Sequence, residues 1–137
     1  MEDRLKFRIW DNKEKRYVEE YLDREIMLSI DGTLNACAYD FSGNRSIEDI
    51  NKNNRFEVEF CTGLKDEKDK LIYEGDILKI TDQGIDDIVK VYYENGMYCF
   101  SISPNSANLV FFDLSDNETT CEVIGNIHEN TDLLGEE

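Results

Sequence analysis

The chain has 137 residues, with 31 Asp plus Glu against 15 Lys plus Arg, a net charge of −16 and 34% charged residues. That length suits one domain with a real core, and no run approaches the roughly 18 apolar residues that span a bilayer. The acid excess argues against direct contact with nucleic acid and against an anionic membrane surface.

The acid is unevenly spread. Residues 1–68 hold 16 acids and 12 bases, whereas residues 69–137 hold 15 acids and three bases, Lys70, Lys79 and Lys90. From Val91 to Glu137 there is no Lys or Arg. Such a surface either keeps the protein dispersed or meets a basic partner.

In chain order the pattern is that of strands and turns. Leu5–Trp10 alternates apolar and basic residues at period two, which predicts a half-buried strand. A polar turn over residues 11–16 leads to Tyr17-Val18, predicting a hairpin. Glu25–Ile30 fits a strand or a short helical turn, and Leu34–Phe41 a strand. Ser46–Ile50 places a Ser before acidic residues and predicts a capped helix of one or two turns. Phe56–Phe60 is a clean alternating strand. After a charged turn over residues 65–70, Leu71-Ile72-Tyr73 leads into Glu74-Gly75-Asp76, and five strands are expected at Ile77–Ile80, Ile88–Tyr93, Met97–Ile102, Leu109–Leu114 and Glu122–Ile127. Asn95-Gly96 supplies the positive φ angles of a tight hairpin.

The expected fold class is therefore mainly β. A small SH3-like barrel over residues 71–132 would pack with an N-terminal β-rich subdomain, residues 1–62, containing at most one short helix. The four cysteines, Cys37, Cys61, Cys99 and Cys121, lack zinc-ligand spacing and mostly sit in apolar runs, so they read as buried thiols. Met1-Glu2-Asp3-Arg4 leads straight into the first strand without an apolar signal core. The expected location is cytoplasmic.

Chemistry is hard to find. The lone histidine, His128, has no nucleophile motif beside it and reads as a surface residue. The eight glycines form no phosphate-binding loop. Asp82, Asp86 and Asp87 are the nearest thing to a cation cluster, without EF-hand spacing, and a carboxylate-dependent hydrolase is the weakest of three functional readings. No catalytic residue, metal ligand or cofactor is assigned.

Three segments carry a resemblance. They are Lys6-Phe7-Arg8-Ile9-Trp10-Asp11; Thr62-Gly63-Leu64-Lys65-Asp66 continuing into Ile72-Tyr73-Glu74-Gly75-Asp76-Ile77; and Val123-Ile124-Gly125-Asn126-Ile127-His128-Glu129-Asn130. Together and in this order they resemble the YopX family of phage and prophage proteins across nearly the whole chain. The sequence departs from the family pattern at Glu67-Lys68-Asp69, where a turn pair such as Asn-Gly is usual, and at His128, where an aromatic residue is common. The resemblance implies a phage-derived domain with an SH3-type barrel in its C-terminal half, and no established activity.

Each motif also has a structural reading: Gly63 and Gly75 as turn glycines, Asp66 and Asp76 as Asx groups, Gly125-Asn126 as a bulge or bend. Trp10, Tyr73, Asp76 and Asn126 are the candidate binding residues. The leading expectation is a protein-binding module whose partner is a phage or host protein. The second is an acidic mimic of nucleic acid that occupies a host DNA-binding protein. An exposed edge strand leaves self-association open.

Overall fold

A computed structural model describes residues 5–19, 24–82, 84–94, 97–100, 110–111 and 119–134. It is mainly β, as the alternation predicted. Among the described residues no helix is long and apolar enough to cross a membrane. The chain divides into two compact units, Arg8–Val58 and Met1–Phe7 with Glu59–Glu137.

In the Arg8–Val58 unit, β1 (Phe7–Asp11) turns into β2 (Arg16–Tyr17), with Trp10 opposite Tyr17. The hairpin closes through Lys15, which adopts φ 59° and donates its N–H to the Asp11 carbonyl at 2.8 Å. Trp10 is buried, its ring meeting Tyr17 edge-on at 5.0 Å, and the Arg8 guanidinium lies 4.5 Å from the Tyr17 ring centre. A three-stranded antiparallel sheet follows, β3 (Glu25–Leu28), β4 (Leu34–Tyr39) and β5 (Arg45–Asp49), with β4 in the middle. Glu25–Leu28 is thus strand rather than helical turn. Ala36 and Ala38 lack bulk, and Arg24 reaches Glu48 across that face at 2.7 Å.

The helix expected over Ser46–Ile50 is absent: this segment is the strand β5. Two turns of isolated helix carry too few hydrogen bonds to offset nucleation. The β4 ladder instead supplies partners from Arg45 opposite Tyr39 to Asp49 opposite Asn35. The acids that suggested a helix start serve otherwise, with Asp49 Oδ1 accepting the Asn51 N–H at 2.9 Å.

β6 (Phe56–Lys65) passes from one unit into the other. Strict alternation would bury Phe56, Val58 and Phe60. The strand instead changes phase: Phe56 is buried, but further on Glu59 and Cys61 turn inward and Phe60 is exposed. A register shift between Cys61 and Lys65 accompanies Gly63, whose φ of 86° favours glycine.

In the Glu59–Glu137 part, β6 pairs with β7 (Leu71–Tyr73). A five-stranded antiparallel sheet then runs in the order β11-β10-β9-β8-β12, curling as half a barrel. Its members are β8 (Asp76–Asp82), β9 (Ile85–Glu94), β10 (Met97–Phe100), β11 (Val110–Phe111) and β12 (Thr119–Asn126). Met97 stands opposite Glu94, the register of a two-residue hairpin; Asn95 and Gly96 themselves lie outside the described residues. The same is true of the expected loop at residues 103–106 and of the turn at residues 115–117. Ile72, Leu78, Ile80, Val89, Val91 and Cys121 form the core, with Leu64 and Val123 against it. All four cysteines are buried. Burial, with Asp66 and Glu67 nearby, pushes the Cys121 thiol up to about 11, which keeps it protonated. A single turn of 3-10 helix, Thr131–Leu134, follows β12.

Candidate functional site

The second and third motifs meet in the Glu59–Glu137 part of the chain. Tyr73 ends β7, and Asp76 opens β8 after the Glu74-Gly75 turn. Asp76 is buried and accepts the N–H of Tyr73, three residues earlier, through Oδ2 at 2.8 Å, which closes the turn from its far end. Across the sheet Asp76 pairs with Asn126, the last residue of β12. Three of the four candidate residues therefore come together. Trp10, in the other unit, packs against Tyr17 instead.

Asn126 is a turn-maker. Its Oδ1 accepts the N–H groups of His128 and Glu129, each at 3.0 Å, and its Nδ2 donates to Glu129 at 2.8 Å. Its own N–H donates to Asn130 Oδ1 at 3.1 Å. Asn130 sits so close over Gly125 that a Cβ there would lie 2.6 Å from its Oδ1.

This turn places His128 beside Glu59, Nε2 to Oε2 at 2.6 Å, with side chains 11% and 8% exposed. The expectation of a surface histidine is corrected here: the Asn126 turn folds the imidazole inward, and the phase change in β6 brings the carboxylate to meet it. Glu59 in turn lies under Gly75, where a Cβ would stand 2.9 Å from Oε2. Gly75 has φ 88°, donates to Val91 at 2.9 Å and accepts from Ile127 at 2.8 Å. The Glu74 side chain closes the arrangement by accepting the Phe60 N–H at 2.9 Å.

The remaining motif residue of note is Asp66, buried in the β6–β7 turn. Its Oδ1 accepts from the N–H groups of Lys68 (2.9 Å) and Lys70 (2.8 Å), and its Oδ2 from Val123 (2.9 Å). One carboxylate thus shapes its own turn and ties it to β12. Burial alone would raise this carboxyl, but the three N–H groups and the Lys70 ammonium outweigh it and hold it below the ordinary value.

Chemically these groups brace the fold. A general acid or base must exchange a proton with a bound substrate. The imidazole and carboxylate here are enclosed and point at one another. Among the described residues no group of three or more His, Cys, Asp or Glu is placed to hold a metal ion. Asp86 accepts from Thr81 Oγ1 at 2.7 Å and lies 3.7 Å from Lys79 Nζ.

The brace makes a definite expectation. Gly75→Ala forces a left-handed φ on an L-residue and crowds Glu59, at a cost of about 1–2 kcal/mol in urea denaturation. Gly32→Ala, at φ 90° with nothing near its Cβ position, shares the backbone penalty without the crowding and should cost less.

The family model described as YopX protein matches residues 6–135. The crystal structure of protein yopX from Bacillus subtilis is similar with a TM-score of 0.62 and 20% identity, covering 93% of this chain and 96% of that one. The crystal structure of protein EF1440 from Enterococcus faecalis is similar with a TM-score of 0.59 and 27% identity, covering 94% and 96%. No curated protein matches the sequence.

Proposed function

The chain belongs to the YopX family, and from that premise we propose that it is a non-catalytic accessory protein of phage or prophage origin that acts by binding another protein in the bacterial cytoplasm. The observation that carries this reading is an exposed apolar set in the Arg8–Val58 unit. Ile30 and Phe41, at the two turns of the three-stranded sheet, are fully exposed, and Tyr39 and Ile47 are 65% and 50% exposed. Tyr39 and Ile47 share a face of the sheet by register, with Phe41 at the turn joining their strands and Ile30 at the opposite end of β4; exposed large apolar groups on one face mark interaction surfaces. The motif residues, by contrast, spend their polar groups on backbone. The net charge of −16 suits a partner whose contact is ringed by basic residues.

A second reading, an acidic mimic of nucleic acid, rests on the base-free stretch from Val91 to Glu137. We also read the curled five-stranded sheet as the SH3-type barrel that the family resemblance implies. Affinity capture with mass spectrometry at low and high salt separates the two functional readings. An apolar contact keeps a stoichiometric partner at high salt, whereas a mimic releases a basic, DNA-binding partner as salt rises. Recovery of no stoichiometric partner at either salt would count against both.

A further inference from the structure

We propose that β5 is a self-pairing edge, through which two copies of this chain join their three-stranded sheets about a two-fold axis at Ile47. The inference goes beyond the partner-binding reading: it assigns Ile47 and Tyr39, which that reading counts in its exposed apolar set, to contact with a second copy.

The argument starts from the backbone. β5 is the edge of the sheet β3-β4-β5. The Ile50 N–H donates to the Leu34 carbonyl and the Asp40 N–H to the Asn44 carbonyl. These fix the parity of the ladder: Ser46 and Glu48 direct their N–H and C=O groups toward β4, and Arg45, Ile47 and Asp49 direct theirs away from it. Among the described residues no strand pairs with this side of β5, and outward groups on an edge are a template for another strand.

The side chains then select the strand. Arg45-Ser46-Ile47-Glu48-Asp49 is self-complementary when read against itself in the antiparallel sense. With Ile47 opposite Ile47 of a second copy, Arg45 faces Asp49 and Asp49 faces Arg45, so two opposite-charge pairs flank an apolar centre. On the other face Ser46 stands opposite Glu48, a hydroxyl donor against a carboxylate. The residues in hydrogen-bonded register are the three whose backbone groups point outward. Asp49 Oδ1 takes the Asn51 N–H, so the other carboxylate oxygen faces the guanidinium.

Exposure agrees. Arg45, Ser46, Ile47 and Glu48 are all exposed. Tyr39 stands opposite Arg45 and shares its face with Ile47, so pairing extends an apolar strip beside the charge pairs. An exposed edge normally carries a blocking device such as an inward charge, a bulge or a proline. β5 pairs with β4 without a register shift and contains no proline.

Sedimentation equilibrium on the full chain tests this, with charge reversal as the probe. Wild type is expected to dimerise reversibly in the micromolar range. Arg45→Glu sets like charges opposite each other twice over and should weaken the dimer at least about tenfold. Asp49→Lys should do the same, and the double variant Arg45→Glu/Asp49→Lys should restore it to within about threefold. Ile47→Lys should give monomer. Thermal midpoints check folding, and the double variant carries the same loss of the Asn51 cap as Asp49→Lys, so its rescue reports register alone. A wild type monomeric at several hundred micromolar would overturn the proposal. So would a dimer indifferent to Arg45→Glu and Ile47→Lys, or a double variant no better than either single.

Discussion

Replacing Asp66 by alanine is expected to lower the stability of the Glu59–Glu137 part by about 4 kcal/mol in urea denaturation. The change leaves three backbone N–H groups, those of Lys68, Lys70 and Val123, without their acceptor. Each unsatisfied buried donor costs about 1–3 kcal/mol, with the two turn donors toward the lower end. Asp66→Asn keeps one oxygen but turns an amide N–H₂ toward donors, so it should cost about half as much. The acid response follows from the same contacts. The folded carboxyl titrates below its ordinary value, so its stabilisation is present above about pH 4 and is lost as pH falls through the folded value. Wild type should lose stability on that descent, and Asp66→Ala should show a shallower slope there.

Asp11→Asn is expected to destabilise the Arg8–Val58 unit by about 2 kcal/mol. The Arg55 guanidinium grips Asp11 with two parallel bonds, Nε to Oδ1 at 2.8 Å and Nη2 to Oδ2 at 2.7 Å, and Oδ1 also accepts the Lys13 N–H. The Arg55 hydrogen bonds lead the causes that lower this carboxyl from 3.8 to about 2, against the opposing effect of burial. That difference corresponds to about 2 kcal/mol of preference for the ionised form. Because the folded value is depressed, this contribution is complete above about pH 4 and disappears between pH 4 and 2. Arg55→Lys keeps the charge but cannot form the fork, so it should recover only part of the loss. Denaturation curves at pH 7, 4 and 3 check both variants against wild type.

Both sites show what the sequence made legible. Alternation and turn residues located most strands, because period two and the Gly, Asn and Asp breaks are local properties. The hairpin joining β9 and β10 was signalled by the dipeptide Asn95-Gly96, and the two strands do pair. The three motifs found the family, and Asp66 holds its own turn as an Asx group through the Lys68 N–H, whereas Asp76 takes the N–H of Tyr73 three residues earlier. The errors came where a distant partner decides. Glu59 alternates with Phe56, Val58 and Phe60 and so reads as a solvent-facing acid. His128, 69 residues away, supplies the group that justifies burying it, and no local pattern announces that pair. A hint lay in His128 itself, which stands where the family more often has an aromatic ring: a ring nitrogen there needs a partner, and a carboxylate in a facing strand provides one. Ser46–Ile50 failed for the opposite reason. Its capping signal was real but short, and the β4 ladder offered more.

Phe41 and Ile30 could not have been singled out from sequence, since each sits next to turn residues like any loop apolar group. Their full exposure is a fact of the folded chain. Motif residues hold backbone in place, and the exposed turn-borne apolar residues are the contact proposed for a partner.

The most direct test of that separation is quantitative affinity capture from bacterial cells with wild type and Ile30→Ser/Phe41→Ser side by side, thermal midpoints being measured on both. The expected result is a stoichiometric protein retained at high salt by wild type and lost by the double variant at an unchanged midpoint. A partner held equally by both proteins would contradict the account.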